Sequence, residues 1–120
     1  MADINQMNDT VDSYLKGAID KWLDLGVDGI RVDAVKHMPA GWLKNWVSNI
    51  YEKHPVFIFG EWYTGGTGND SQMTEFANTS GMNLLDFRYA NAVRNAIGTE
   101  SDSMKDLYNV KRNILTYVTI

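Results

Sequence analysis

The segment DGIRVDAVKH, residues 28–37, decides the fold, because it places an arginine and an aspartate within a short apolar run. The alternation of apolar and charged residues in this segment predicts a β-strand over about residues 27–33. In this strand Arg31 and Asp33 share one face, and Asp33 stands at the carboxyl end. Such neighbours lie roughly 6.5 Å apart along a strand. Arg31 is therefore expected to lower the pKa of Asp33 and keep it ionised. A structural ion pair that closes one end of a sheet is the alternative explanation of the same pattern.

A second apolar run, PVFIFGEW at residues 55–62, repeats this arrangement with one acid. Phe57, Phe59 and Glu61 share a face, and Glu61 again stands at the carboxyl end. It follows Asp33 by 28 residues, close to the ~30 residues of a βαβ unit, so neighbouring parallel strands are predicted. Neighbouring strands lie ~4.8 Å apart. The two carboxyls would then lie about 5–5.5 Å from each other, the separation found in a retaining glycosidase.

The surroundings of the two acids predict different protonation states. Asp33 has the cation Arg31 beside it, which favours the carboxylate form that a nucleophile needs. Glu61 is flanked by aromatic residues such as Trp62 and Tyr63, where desolvation would favour the protonated form that a proton donor needs.

Four side chains next to the acids are candidates for binding a sugar. Lys36 and His37 can donate hydrogen bonds to hydroxyl groups, but they suit solvated loop positions equally well. Trp62 and Tyr63 offer flat faces that stack on the apolar face of a sugar, although aromatic residues more often belong to a core.

Helical and strand patterns alternate along the whole chain, which predicts an α/β fold with one domain over residues 1–120. The alternation implies a four-stranded parallel sheet with right-handed crossovers, its strands buried on both faces. Thr10 is expected to cap the first helix and Gly26 to end it. Helices are predicted over residues 10–25, 40–52, 71–78, 89–97 and 102–110, further strands over 82–87 and 113–120, and a loop over 64–70.

The composition excludes several classes of function. The 120 residues carry a net charge of −4 with no basic cluster, which argues against binding to nucleic acid and, more weakly, to an anionic membrane. The absence of cysteine excludes disulfides and thiolate metal sites. No apolar run approaches the ~20 residues of a membrane span, and the polar start MADINQMNDT does not read as a signal peptide.

The two acid-bearing motifs resemble those of the α-amylase family of glycoside hydrolases. DGIRVDAVKH is similar to the family's fourth-strand motif, and FGEW to its fifth-strand motif. The resemblance covers about residues 2–110, through ADINQMNDTVDSYLKGAIDKWLDLGVDGIRVDAVKHMP and FANTSGMNLLDFRYANAVRNAIG. It is close to cyclodextrin glucanotransferases and maltogenic amylases in particular. It implies a (β/α)8 barrel that cleaves or transfers α-1,4-glucan, in a family that bacteria usually secrete.

The resemblance also implies roles for the site residues. Asp33 corresponds to the nucleophile, Glu61 to the acid/base, and Arg31 to the residue that orients the nucleophile. The backbone carbonyl of His37 corresponds to a calcium ligand in many members. Tyr63 stands at an acceptor-site aromatic position, where phenylalanine is usual in cyclodextrin-forming enzymes and tyrosine occurs in maltogenic relatives. Lys36, together with His37, would line the acceptor side.

The chain also departs from the family pattern. It begins after the histidine-bearing third-strand motif and ends about where the family's third catalytic acid would begin. The segment LYNVKRNILTYVTI, residues 107–120, looks shortened, and the calcium ligands of earlier segments are absent, so loss of calcium is expected. The resemblance therefore covers about strands four to seven, half of a (β/α)8 barrel, as expected for an excised, recombined or designed fragment.

Two arrangements and three functions remain open for such a half barrel. Its exposed edges and inner face could be covered by a second copy in a homodimer, or the sheet could flatten into a doubly wound, flavodoxin-like layer. The chain could be a retaining hydrolase or glucanotransferase with little or no turnover in isolation. It could equally be a scaffold without catalysis, or a weak binder of an α-glucan such as a maltooligosaccharide.

Overall fold

The computed structural model describes residues 3–63, 70–99 and 103–114, in which helices and strands alternate up to the fourth helix, giving five helices and three strands. A 3-10 turn follows the first strand at Val35–His37, and a π-helical turn follows the fourth helix at Arg94–Gly98. In chain order the elements are α1 (Asp9–Asp24), β1 (Gly29–Val32), α2 (Ala40–Tyr51), β2 (Phe57–Gly60), α3 (Asp70–Ser80), β3 (Asn83–Leu84), α4 (Phe87–Val93) and α5 (Met104–Ile114).

The three strands form a parallel sheet in the order β1-β2-β3. Arg31 of β1 lies opposite Phe59 of β2, which lies opposite Asn83 of β3. The predicted α/β fold with a parallel sheet is therefore confirmed, with three strands among the described residues where four were predicted.

The strand predicted over residues 113–120 is wrong at its start, because residues 113 and 114 belong to α5. Apolar residues at 107, 110 and 114 recur at helical spacing, and this period continues the helix past the point where the β-branched residues begin. Residues 115–120, like the loop predicted over 64–69, lie outside the described residues.

The core lies on one face of the sheet. Ile58 points from β2 into a cluster with Leu43 and Ile50 of α2, and all three side chains are 0% exposed. Leu23 of α1 and Phe76 of α3 pack on the same cluster. The three helices therefore cover the face that these aliphatic side chains share.

Among the described residues, no helix covers the opposite face of the sheet, so the prediction that both faces are buried is wrong for this part of the chain. Phe57 is 59% exposed although it stands in the central strand, and its ring contacts that of Phe59 with centroids 5.7 Å apart. Gly29 and Arg31 on the same face are exposed as well. The charge of Arg31 is tolerated in β1 because its side chain reaches water on this open face.

The ends of α1 follow ordinary capping chemistry, with one correction. The cap is Asn8 and not the predicted Thr10: its side-chain oxygen accepts hydrogen bonds from the backbone N–H groups of Thr10 and Val11. Asn8 takes this role because the helix begins at Asp9, one residue earlier than predicted. Gly26 ends the helix as predicted, with a φ of 84° that glycine adopts without strain.

Within the described ranges, no helix combines the length and the apolar character needed to cross a bilayer.

Candidate active site

The two acids stand side by side at the carboxyl ends of neighbouring strands. Asp33 follows β1 and Glu61 follows β2, and the strands are paired up to Val32 and Gly60. The backbone N–H of Glu61 donates to the carbonyl of Val32 at 2.8 Å. Parallel pairing in this register thus carries both acids to one edge of the sheet, where functional groups collect in α/β folds.

Arg31 joins the two acids through one guanidinium group. Its Nη1 lies 2.9 Å from Oδ1 of Asp33, and its Nη2 lies 3.1 Å from Oε1 of Glu61. The Asp33 side chain is 74% exposed and therefore lies in solvent, whereas the Glu61 side chain is 27% exposed and partly shielded from it. The structure therefore brings together the three residues that the sequence predicts as the centre of the site.

The pKa of Asp33 is lowered from its ordinary value. The main cause is a hydrogen bond with the Glu61 side chain, followed by the hydrogen bond and the charge of Arg31. Asp33 accepts from both neighbours, and a group that accepts hydrogen bonds in its charged form holds its proton less tightly. These contacts favour the ionised form of Asp33.

We expect the lowered pKa of Asp33 to make the fold acid-sensitive. A carboxyl with a lower pKa in the folded than in the unfolded state adds stability that is present above the unfolded value, about 3.9 for aspartate. That stability is lost as the pH falls through the lowered folded value. Asp33→Asn should therefore weaken the fall in stability below about pH 4, as measured by urea unfolding at a series of pH values.

A second carboxyl provides a positive control for this measurement. The pKa of Asp12 is also lowered, chiefly by its hydrogen bond with Lys16, so Asp12→Asn should flatten the acid dependence in the same direction. If Asp12→Asn responds and Asp33→Asn matches the wild type at every pH, the neighbours of Asp33 do not favour its ionised form.

The turn after Asp33 folds back over the end of β2. Ala34 has a φ of 47°, in the left-handed region that favours glycine, and it carries the chain into the 3-10 turn. The Nζ of Lys36 donates to the backbone carbonyl of Tyr63 at 2.8 Å, so this lysine links the segments that follow the two strands. His37 is exposed, and its backbone N–H donates to the carbonyl of Ala34.

The two aromatic residues after Glu61 take different positions. Trp62 is half-buried, and its ring lies 4.6 Å from that of Phe76, against the core. Tyr63 is 56% exposed and meets the ring of Phe87 edge-on, with centroids 5.1 Å apart. Tyr63 therefore presents an aromatic surface to solvent beside the acids, while Trp62 takes part in packing.

The described residues supply no side-chain cluster for a metal ion. Within residues 3–63, 70–99 and 103–114, no three His, Asp or Glu side chains are grouped so that they could hold one. The carbonyl of His37 is a single oxygen, whereas calcium takes roughly six to eight. The part of the chain described here does not by itself fit a calcium site.

Three residues near the acids were not singled out in the sequence. Gly60 could have been identified from the sequence, because a glycine inside an apolar strand often marks a place where another group approaches the backbone closely. Ala34 carried no such signal, since alanine is not a residue type that predicts a left-handed turn. Phe87 lies 26 residues beyond Glu61, and only the tertiary fold brings its ring to Tyr63.

Known proteins resemble this chain over most of its length. Cyclomaltodextrin glucanotransferases from Bacillus licheniformis and Paenibacillus macerans are each 59% identical to it, over 87% and 92% of the chain. An α-amylase from Niallia circulans is 57% identical over 89% of the chain. The chain spans only 14%, 16% and 20% of the length of these three relatives. No protein-family model matches it.

Solved structures give the same result. A γ-cyclodextrin glucanotransferase from alkalophilic Bacillus clarkii has a TM-score of 0.82 and 48% identity, covering 88% of this chain and 16% of its own. CldA, described as a cyclomaltodextrin glucanotransferase with a three-domain ABC distribution, has a TM-score of 0.90 and 36% identity, covering 98% of this chain and 24% of its own.

The parallel sheet with its acid pair, together with these similarities, places the chain in the α-amylase family of glycoside hydrolases. Cyclomaltodextrin glucanotransferases are among its relatives at 48–59% identity, and the chain corresponds to a segment of them.

Proposed function

We propose that this chain carries the catalytic acid pair of a retaining α-1,4-glucan hydrolase or glucanotransferase. In this proposal Asp33 is the nucleophile, Glu61 is the acid/base, and Arg31 orients the nucleophile. The observation that carries the proposal is the shared contact of one guanidinium with both carboxyls. Inverting enzymes need roughly 6.5–9.5 Å between their carboxyls to admit a water molecule, whereas one guanidinium contacts both carboxyls of this pair at 2.9 and 3.1 Å, which supports the shorter separation of the retaining class.

The two acids suit the two halves of a retaining reaction. Ionised Asp33 would attack the anomeric carbon and form a covalent glycosyl ester, while protonated Glu61 gives its proton to the departing glycosidic oxygen. Glu61, now a carboxylate, would then take a proton from water or from a sugar hydroxyl as that oxygen displaces Asp33. Water as the acceptor gives hydrolysis, and a second sugar gives transfer.

The substrate class follows from the relatives and from the groups around the acids. The relatives are named for glucan transfer, which supports an α-glucan or maltooligosaccharide as the substrate. The exposed ring of Tyr63 would stack on a sugar, with Lys36 and His37 as hydrogen-bond donors on the acceptor side. Trp62 would form the side of the site that faces the core, because it packs against Phe76.

We propose that the sheet is a segment of a (β/α)8 barrel, within a single domain over residues 1–120. Its helices cover one face, as in a barrel wall, whereas a doubly wound layer has helices on both faces. By the resemblance, we propose that this segment does not supply the family's third catalytic acid. Removing a group that acts in the transition state slows the chemical step, so turnover by this chain alone should be absent or very slow.

An assay of reducing ends released from soluble starch over several days tests the proposed reaction. We expect release close to the buffer blank, and any release above it should disappear in Asp33→Ala and in Glu61→Gln. Glu52→Gln, which changes an exposed carboxyl at the end of α2, should leave release unchanged and is the matched control. Cleavage that survives Asp33→Ala would show that Asp33 is not the nucleophile.

Weak carbohydrate binding without catalysis is the second candidate, favoured by the exposed Tyr63 ring. Binding to the folded state raises the melting temperature with ligand concentration, so a maltooligosaccharide at millimolar concentration should raise it. Tyr63→Ala should abolish that rise, and Tyr51→Ala, at another exposed tyrosine, should preserve it. A chain that gives neither turnover nor a shift is best explained as a scaffold without function of its own.

We further propose that the isolated chain forms a homodimer through the exposed edges of its sheet, with the open face turned toward the second copy. The face carries exposed Phe57 beside Arg31 and the acids Asp33 and Glu61. Charges of both signs on one patch suit a two-fold contact, in which the cation of one copy meets an acid of the other. A second copy is therefore the partner to which this surface is complementary.

A further inference from the structure

A buried contact beneath the acids joins the end of β2 to the turn that follows β1. Val35 comes two residues after Asp33 and is 0% exposed, and Gly60 directly precedes Glu61 and is buried. A Cβ atom at Gly60 would lie 2.9 and 3.0 Å from the two γ-carbons of Val35. It would also lie 2.6 Å from the sulfur of Met82. The backbone of β2 therefore rests directly on the Val35 side chain, at a distance that only glycine permits.

Two backbone hydrogen bonds fasten Glu61 to the same turn. Its N–H donates to the carbonyl of Val32 at 2.8 Å, and its carbonyl accepts from the N–H of Val35 at 3.1 Å. Val32 and Val35 flank Asp33 in sequence, so the peptide groups of Glu61 are held on both sides of the aspartate. The left-handed conformation of Ala34 turns the chain so that Val35 reaches this position.

We propose that Val35 and Gly60 are positioning residues whose contact sets the distance between the carboxyls of Asp33 and Glu61. Both act through the backbone that carries Asp33 and Glu61. How closely the backbone of Gly60 approaches the Val35 side chain determines the distance between Glu61 and the segment that carries Asp33. The inference rests on the proposed function only where it treats the acids as catalytic, because the geometry itself holds for any role of the pair.

Two substitutions disturb the contact from opposite sides. Gly60→Ala introduces a methyl group where Val35 and Met82 already stand, so the end of β2 must lift away from the turn. Val35→Ala removes the two γ-methyl groups, so the end of β2 can move closer to the turn or become less firmly packed. Each change should move the Glu61 carboxyl relative to Asp33 and to the Arg31 guanidinium that both acids contact.

The double variant Gly60→Ala/Val35→Ala should restore the position. Removing the γ-carbons of Val35 eliminates both close contacts with that residue, and the added methyl group fills part of the vacated volume. The remaining contact is with the end of the flexible Met82 side chain, which can turn into the rest of the space. The two sites are in contact, so their effects should be strongly non-additive.

The test is the titration of the Asp33 carboxyl in the folded chain, followed by its carboxyl-carbon NMR signal. Glu61, which follows β2, and Arg31 of β1 are the titratable groups that lower its pKa. We expect each single variant to raise the pKa of Asp33 toward its ordinary value and the double variant to bring it back toward that of the wild type.

A matched variant separates positioning from general loss of packing. Val47→Ala removes the same atoms from a buried valine of α2, and it should lower stability without moving the titration of Asp33. Should Gly60→Ala not fold, Val35→Ala against Val47→Ala decides alone. The proposal is overturned if Val35→Ala loses stability as Val47→Ala does but titrates as the wild type. This readout needs no starch cleavage, so failure of the proposed activity would leave it intact.

Discussion

Replacing Ile50 with alanine should destabilise the chain by about 2–5 kcal/mol. Ile50 is 0% exposed and belongs to the cluster in which α2 meets Ile58 of the sheet. The alanine variant loses both the transfer free energy of the removed carbons and the contacts around the cavity. Small domains have only about 5–15 kcal/mol of stability, and a sheet with one open face has a single core layer to supply it. The expected loss is thus a large share of the total.

Urea unfolding followed by tryptophan fluorescence measures this loss. Ile97→Ala is the matched control, because it removes the same atoms from an isoleucine that is 62% exposed. Substitutions at such positions usually change stability by less than about 0.5 kcal/mol. Equal effects of the two substitutions would mean that the core does not lie between α2 and the sheet.

Replacing Phe57 with serine should shift the isolated chain from dimer to monomer. Phe57 is 59% exposed in the central strand, and it lies on the face proposed to meet a second copy. Burying a phenylalanine side chain stabilises by about 1.5–3 kcal/mol, and a two-fold interface buries one from each copy. The dimer dissociation constant should therefore rise by roughly tenfold or more.

Sedimentation equilibrium over a range of concentrations tests this expectation against the mass of one chain, 13.6 kDa. The wild type should approach twice that mass, and Phe57→Ser should remain close to the single value. Tyr14→Ser removes an aromatic ring that is 76% exposed on α1, and it should leave association unchanged. A wild-type chain that stays monomeric at the highest concentration would refute the homodimer.

Both predictions concern the two faces of the sheet. The sequence predicted which side chains share a face, but it did not predict which face the helices cover. The alternation of Arg31 and Asp33 with aliphatic residues assigns them to a shared face, because side chains of a strand alternate whatever surrounds it. Which face the helices cover is not a local property. Phe57 and Ile58 are both strongly apolar and adjacent in sequence, yet one is 59% and the other 0% exposed.

The site also combines features that the sequence predicts with features that only the tertiary structure decides. Examples are the contact of Gly60 with Val35 and the packing of Trp62 against Phe76. The sequence placed Gly60 and Trp62 on either side of Glu61, and Val35 two residues after Asp33. It contained no measure of how closely the segments after β1 and β2 approach each other. That approach depends on the packing of Met82 and of α3, which come later in the chain.

The sequence by itself therefore determined the alternation of helices and strands, the parallel pairing and the position of both acids at strand ends. These features follow from the period of the apolar residues and from the 28-residue separation of Asp33 and Glu61, which are local or nearly local quantities. The tertiary structure alone decided which sheet face is open, how Arg31 bridges the acids and which aromatic ring faces solvent. Those outcomes depend on contacts between distant segments, whose packing energies no local period encodes.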